Sequence, residues 1–166
     1  MKTAQEIAML TATKAEDWHQ HSNGGGWVYK TASVKETAFI GPNAQVSGDA
    51  RVYGDARVYG DAQVYGNARV SGNAWVYGDA RVYGDARVYG DAQVSGNTWE
   101  TSPLYIKGSR HALTNCAYGK IAIGCHVYTF AEWKRHTATI GKAESYTPEQ
   151  IKEYRGHIAH IIKYGR

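Results

Sequence analysis

An aliphatic residue returns at every sixth position from Val28 to Val94, and this fixed short period limits what the chain can fold into more than any other feature. The series is Val28, Val34, Ile40, Val46, Val52, Val58, Val64, Val70, Val76, Val82, Val88 and Val94. Four residues after each comes a small one, Ala32 through Ala92, with Thr98 closing the series. Twelve hexads with the consensus Val-Tyr-Gly-Asp-Ala-Arg thus run over residues 28–99 without insertion or deletion. A fixed repeat takes precedence over local propensity. Six is not a helical period, but it suits a short Ala-Arg-Val-Tyr strand followed by a Gly-Asp or Gly-Asn corner. Alternation along such a strand sends Ala and Val inward and Arg and Tyr outward. Three strands and three corners close one triangular coil of 18 residues, so the hexads predict about four coils.

The segment Ile40-Gly41-Pro42-Asn43-Ala44-Gln45 fits an aliphatic-Gly-x-x-small-x pattern, and the chain resembles the hexapeptide-repeat proteins over about seventy residues. That resemblance implies a mainly β fold, a left-handed parallel β-helix. Many members are trimeric acyltransferases with a His base at a subunit boundary and a loop projecting from the coils. Here no His lies between Trp27 and Arg110, and no loop interrupts the hexads. Acyl transfer is therefore the alternative reading, and no catalytic residue is assigned. His111, His126, His136, His157 and His160 are the remaining candidates for a general base, each equally suited to a helix or strand surface. His157 and His160 stand one helical turn apart, but no carboxylate or Cys with ligand spacing joins them, so no metal or other cofactor is expected.

The flanks read differently. Thr3-Ala4-Gln5-Glu6 has capping-box spacing and predicts a helix over about residues 4–18, covering the open end of the solenoid before the Gly-rich residues 22–26. The expected organisation is residues 1–26 as capping helix and linker, 27–99 as β-helix, and 100–166 as a small α+β subdomain. Within the last, Leu104–Ile106, His111–Tyr118 and Lys120–Tyr128 read as strands, with Ile121, Ile123, Cys125 and Val127 on one apolar face. Thr129 starts a helix that Gly141 ends, and Thr147-Pro148-Glu149-Gln150 starts another that ends at Gly165. The run Ile123-Gly124-Cys125-His126-Val127-Tyr128-Thr129-Phe130-Ala131-Glu132-Trp133 is similar to a tail found on hexapeptide-repeat proteins of phages and prophages. This implies a phage-type accessory protein working in the host cytoplasm.

Residues 18 apart stack in neighbouring coils, which turns the sequence into columns. One face stacks Ser33, Arg51, Arg69 and Arg87, with Lys35, Tyr53, Ser71 and Tyr89 beside them. Neighbouring guanidiniums repel, so such a ladder calls for anions or aromatic partners. Arg51, Arg69 and Arg87, with Tyr53 and Tyr89 to stack a base, are the candidate ligand site for a small anionic molecule, expected to be a nucleotide-derived immune signal that is sequestered rather than turned over. The next face stacks Arg57 and Trp75, flanked by Tyr59 and Tyr77. Trp75, Tyr77 and Tyr59 are the candidate interface of a homotrimer, with the ligand held in clefts between subunits. A structural or virion scaffold explains the same aromatics without a ligand. The acidic corner columns, Asp49-Asn67-Asp85 among them, read as turn chemistry.

Charge and cysteine content narrow the partners. The net charge of +4 is carried by residues 99–166, which hold ten basic and five acidic side chains, while residues 40–98 hold five and six. No Arg-rich run or nucleic-acid module appears, so duplex nucleic acid is not an expected partner. Cys116 and Cys125 form neither a disulfide framework nor a zinc cluster. No apolar signal-peptide core or membrane-length stretch is present, and the expected location is cytoplasmic, with no membrane partner.

Overall fold

The structure is a computed structural model that describes residues 2–96 and 98–165; the side chain of Thr98 also lies outside the described set. It divides into two compact units, Met1–Ser102 and Pro103–Arg166.

The first unit is a β-solenoid of about four coils. Its three sheets follow the three columns. One contains the parallel strands Ser33–Val34, Arg51–Val52, Arg69–Val70 and Arg87–Val88. Another contains Phe39–Ile40, Arg57–Val58, Trp75–Tyr77 and Gln93–Ser95. The third runs from Trp27–Tyr29 through Gln45–Val46, Gln63–Val64 and Arg81–Val82 to Thr98–Trp99. Backbone hydrogen bonds run from coil to coil: the Arg51 N–H donates to Ala68 O at 2.9 Å and the Tyr53 N–H to Val70 O at 3.0 Å. Eleven of the twelve repeat aliphatics are buried, and Val34 in the first coil is half-buried. The interior thus holds little besides Val and Ala.

The corner chemistry explains the glycine. At the Tyr77-Gly78-Asp79-Ala80 corner the Ala80 N–H donates to Tyr77 O, and Gly78 has φ +65°, which places a positive φ at the first central position of a tight turn. At Gly60, φ is +70° and a Cβ would stand 2.9 Å from the backbone nitrogen of Gly78 in the next coil, so a side chain is excluded twice.

The last coil departs from strict period. Arg81 pairs with Thr98 and Val82 with Trp99, a separation of 17 residues instead of 18. The slip brings buried Trp99 to the aliphatic position, where an unbroken count would have set the Glu100 carboxylate in the core.

The N-terminal segment corrects the expected long helix. Helix α1 spans only Ala4–Thr11, capped by Thr3 and Glu6 in the anticipated box. Ala12 then turns left-handed at φ 53° and ends it. Residues Ala15–Asp17 form one 3-10 turn, and Trp18–Gln20 is a strand paired antiparallel with Trp27–Tyr29. Trp18 still joins Ile7 and Ala8 in a small core against Trp27 and Tyr29. The glycine-rich linker also bonds to the first coil: the Ile40 N–H donates to Asn23 O, and the Gly26 N–H to Ile40 O.

The second unit is an antiparallel sheet of Tyr105–Lys107, Ala112–Ala117, Lys120–Ile123 and His126–Thr129, followed by helices α2 (Phe130–Ala143) and α3 (Pro148–Tyr164). The expected single strand over 120–128 is two, because Gly124 takes φ +57° and reverses the chain. Cys125 is therefore exposed at the turn, and Val127 is also exposed, whereas Ile121 and Ile123 are buried. Both helices begin with the anticipated capping boxes at Thr129 and Thr147. Gly141 does not end α2. It lies inside the helix, where a Cβ would meet Ile151 Cγ1 of α3 at 2.8 Å, so it sets the closeness of the two helices. Leu113, Ile121, Ile123, Trp133, Tyr154, Ile158 and Ile161 form the core. The Tyr154 hydroxyl donates to His111 O at 2.7 Å and accepts from the Arg110 and His111 N–H groups.

Two outcomes are expected. Val64→Asp forces a carboxylate into a dry interior and abolishes the cooperative melting transition seen by circular dichroism, while Val64→Ala keeps the fold at a cost of about 2 kcal/mol. Tyr154→Phe orphans three backbone groups and lowers stability to urea by about 1–3 kcal/mol, with faster amide exchange at Arg110 and His111.

Candidate functional site

The arginine column is continuous. Arg51 pairs in register with Arg69, and Arg69 with Arg87. At one strand spacing, about 4.8 Å, adjacent guanidiniums repel by about 0.9 kcal/mol in water-like surroundings. These arginines line a groove of about 420 Å³ together with Thr31, Ser33, Asp49, Asn67 and Asp85. The groove therefore carries three guanidiniums and two carboxylates, and no aromatic ring lines it. Among the described residues no ion pair joins the two columns.

Tyr53 and Tyr89 stand outside this lining, both exposed, with Ser71 between them in the column. The acidic column, read from sequence as turn chemistry alone, shares the groove with the arginines. Its signal was the spacing: Asp49 precedes Arg51 by two residues, and alternation turns both outward around the inward Ala50.

The aromatic face brings the other candidate residues together. Tyr59 stacks on Tyr77 with ring centroids 5.5 Å apart and meets Trp75 edge-on at 6.2 Å. The Arg57 guanidinium lies 5.6 Å from the Trp75 ring centre. Burial raises the pKa of the Tyr59 phenol above its ordinary value. Trp75 remains 38% exposed, so one edge of this cluster faces solvent.

Two of the histidines pair with carboxylates. His126 Nε2 lies 2.9 Å from Glu144 Oε1, and His157 Nε2 lies 3.3 Å from Glu153 Oε1. Hydrogen bonds from Ser109 hold Glu153 below the usual carboxylate range. Among the described residues, no three His, Cys, Asp or Glu side chains could hold a metal ion, and no helix is long and apolar enough to cross a membrane.

Fold and surface together define a repeat β-solenoid protein. The family model for the YdcK β-solenoid repeat matches residues 44–60, 62–78 and 80–96, so those three stretches are similar to that repeat. No curated protein and no solved structure matches the chain.

The two thiols should separate cleanly. Burial pushes the Cys116 thiol up to about 11, so it stays protonated and unreactive in the folded protein at about pH 8.5. Iodoacetamide at that pH should add one group per folded chain, at Cys125, and two after unfolding, read by mass spectrometry.

Proposed function

We propose that the solenoid is a left-handed coil whose arginine groove binds a small phosphorylated ligand of the nucleotide type without transforming it. The observation that carries this reading is that Arg51, Arg69 and Arg87 share a groove with Asp49 and Asp85, yet make no ion pair with them among the described residues. Their forked N–H donors are left for an external oxyanion, which they grip bidentately. The carboxylates refine the choice. A bare polyanion meets repulsion from Asp49 and Asp85, whereas a phosphate attached to a sugar offers anionic oxygens to one column and hydroxyl donors to the other. Tyr53 and Tyr89, exposed beyond the strand residues Arg51–Val52 and Arg87–Val88, are the rings on which a base would stack. Such a protein acts by holding its ligand away from competing receptors. In this reading Trp75, Tyr77 and Tyr59 join copies into a homotrimer with ligand between them.

The exposed Trp75 edge also supports a second reading, a structural scaffold whose aromatic face is simply an assembly surface.

Calorimetry with cyclic and linear adenine nucleotides tests the first reading. Saturable binding, recovery of intact nucleotide and at least about tenfold loss in Arg69→Ala are expected. Absence of heat across the panel overturns ligand capture, and a trimer mass by light scattering in the same protein then favours the scaffold. Acetyl transfer from coenzyme A would instead identify an acyltransferase.

A further inference from the structure

The unit of residues 103–165 contains a cavity that the groove reading does not use. It measures about 300 Å³ and is walled by Ile123, Trp133, Ile140, Tyr146, Ile151 and Ile158. An apolar cavity of about 150 Å³ accommodates one benzene, so this one has room for a substituted ring or a bicyclic molecule. His111, Cys125 and Glu144 at its rim are exposed, so it opens to solvent on that side.

The polar groups around it are unevenly committed. Trp133 Nε1 donates to Ile121 O at 2.9 Å, the Thr137 hydroxyl donates to Trp133 O, and the Tyr154 hydroxyl is engaged with the backbone of Arg110 and His111. Burial, with Tyr154 beside it, pushes Tyr146 up to about 12 and keeps its phenol neutral. The Arg110 guanidinium is occupied as well: it lies 4.9 Å from the Tyr146 ring centre and donates to Ser145 O at 3.0 Å. What remains is the His126–Glu144 pair, together with the His111 ring and the Cys125 thiol. Glu144 Oε1 takes His126, and Oε2 makes no hydrogen bond among the described residues. The uncommitted charged capacity at the lining is thus one carboxylate oxygen of Glu144, at the exposed rim.

We propose that this cavity binds a small neutral aromatic molecule bearing one hydroxyl or N–H donor, its ring against Trp133, Tyr146 and Ile140 and its donor on the Glu144–His126 pair. The apolar walls select the ring. The acceptor selects the head: a phenol or indole N–H donates to Glu144, whereas a carboxylate in the same place would face a like charge with no free guanidinium or lysine in the lining to offset it. The site is independent of the arginine groove, so either can fail alone.

The test uses the full-length protein, with p-cresol as the ligand probe and 4-methylbenzoate as its anionic counterpart of similar shape. Calorimetry should show one p-cresol bound per chain with half-saturation below about 1 mM and at least about tenfold weaker 4-methylbenzoate binding. Ile140→Trp fills the cavity from its half-buried wall and should remove p-cresol binding while raising or preserving the melting temperature. Glu144→Gln keeps an acceptor for His126 but removes the charge, and should gain at least about tenfold in affinity for 4-methylbenzoate. Cys125 reports occupancy without any substitution: saturating p-cresol should slow its alkylation by N-ethylmaleimide several-fold. Absence of p-cresol binding, equal binding of the two probes to the native protein, or binding that leaves Cys125 alkylation unchanged would each overturn the proposal.

Discussion

The solenoid depends on a narrow interior that its repeated coils fill with short aliphatic side chains. Each coil turns one Val or Ile and one Ala inward from every side, and nearly all of them are excluded from water. This confinement fixes which residues of each hexad point inward. A slip of one residue would bring arginines inside, where an unpaired charge costs several kcal/mol. The coil-to-coil hydrogen bonds then follow, and with them the columns of outward residues. The irregular end keeps charge out as well, since the 17-residue step places Trp99 where Glu100 would have fallen.

Rigid columns create chemistry from residues that would be ordinary elsewhere. One surface arginine among aspartates is usually a solvated charge worth little. A column of three, held by strand pairing beside a second column of mixed Asp and Asn, becomes a two-sided groove with fixed donor and acceptor rows. The other unit works by the opposite means. There a sheet and two helices line an apolar pocket with a carboxylate–imidazole pair at its exposed rim. The chain thus presents two environments of different chemistry.

How far these features could be read from sequence depended on how local their causes are. The hexad register was legible because every sixth residue repeats the same inward demand, and the helix starts at Thr129 and Thr147 because capping is settled within four residues. The failures share a different cause. The end of α1 rests on Ala12, a residue with no special left-handed preference, rather than on a glycine. Gly124 reverses the chain inside an alternation that reads as one strand, and Gly141 resembles a helix stop but serves contact with Ile151. In each case the local signal left a backbone or packing choice open. The groove lay between these extremes: the arginine ladder was visible in the columns, while Asp49 and Asp85 were visible but assigned only to the corners. The cavity of the second unit was invisible, because its walls come from a strand, two helices and the loop between them, whose packing no periodicity encodes.

The in-register stacking of Arg51, Arg69 and Arg87 makes the groove a ruler as well as a surface. Each added or deleted coil would lengthen or shorten it by one strand spacing, about 4.8 Å, and leave the chemistry of every remaining rung untouched. Most pockets change shape when they change size, since their walls come from unrelated parts of the chain. In a repeat of this kind, duplication of 18 residues lengthens the groove without changing its chemistry, so gene-level copying and groove length become coupled variables.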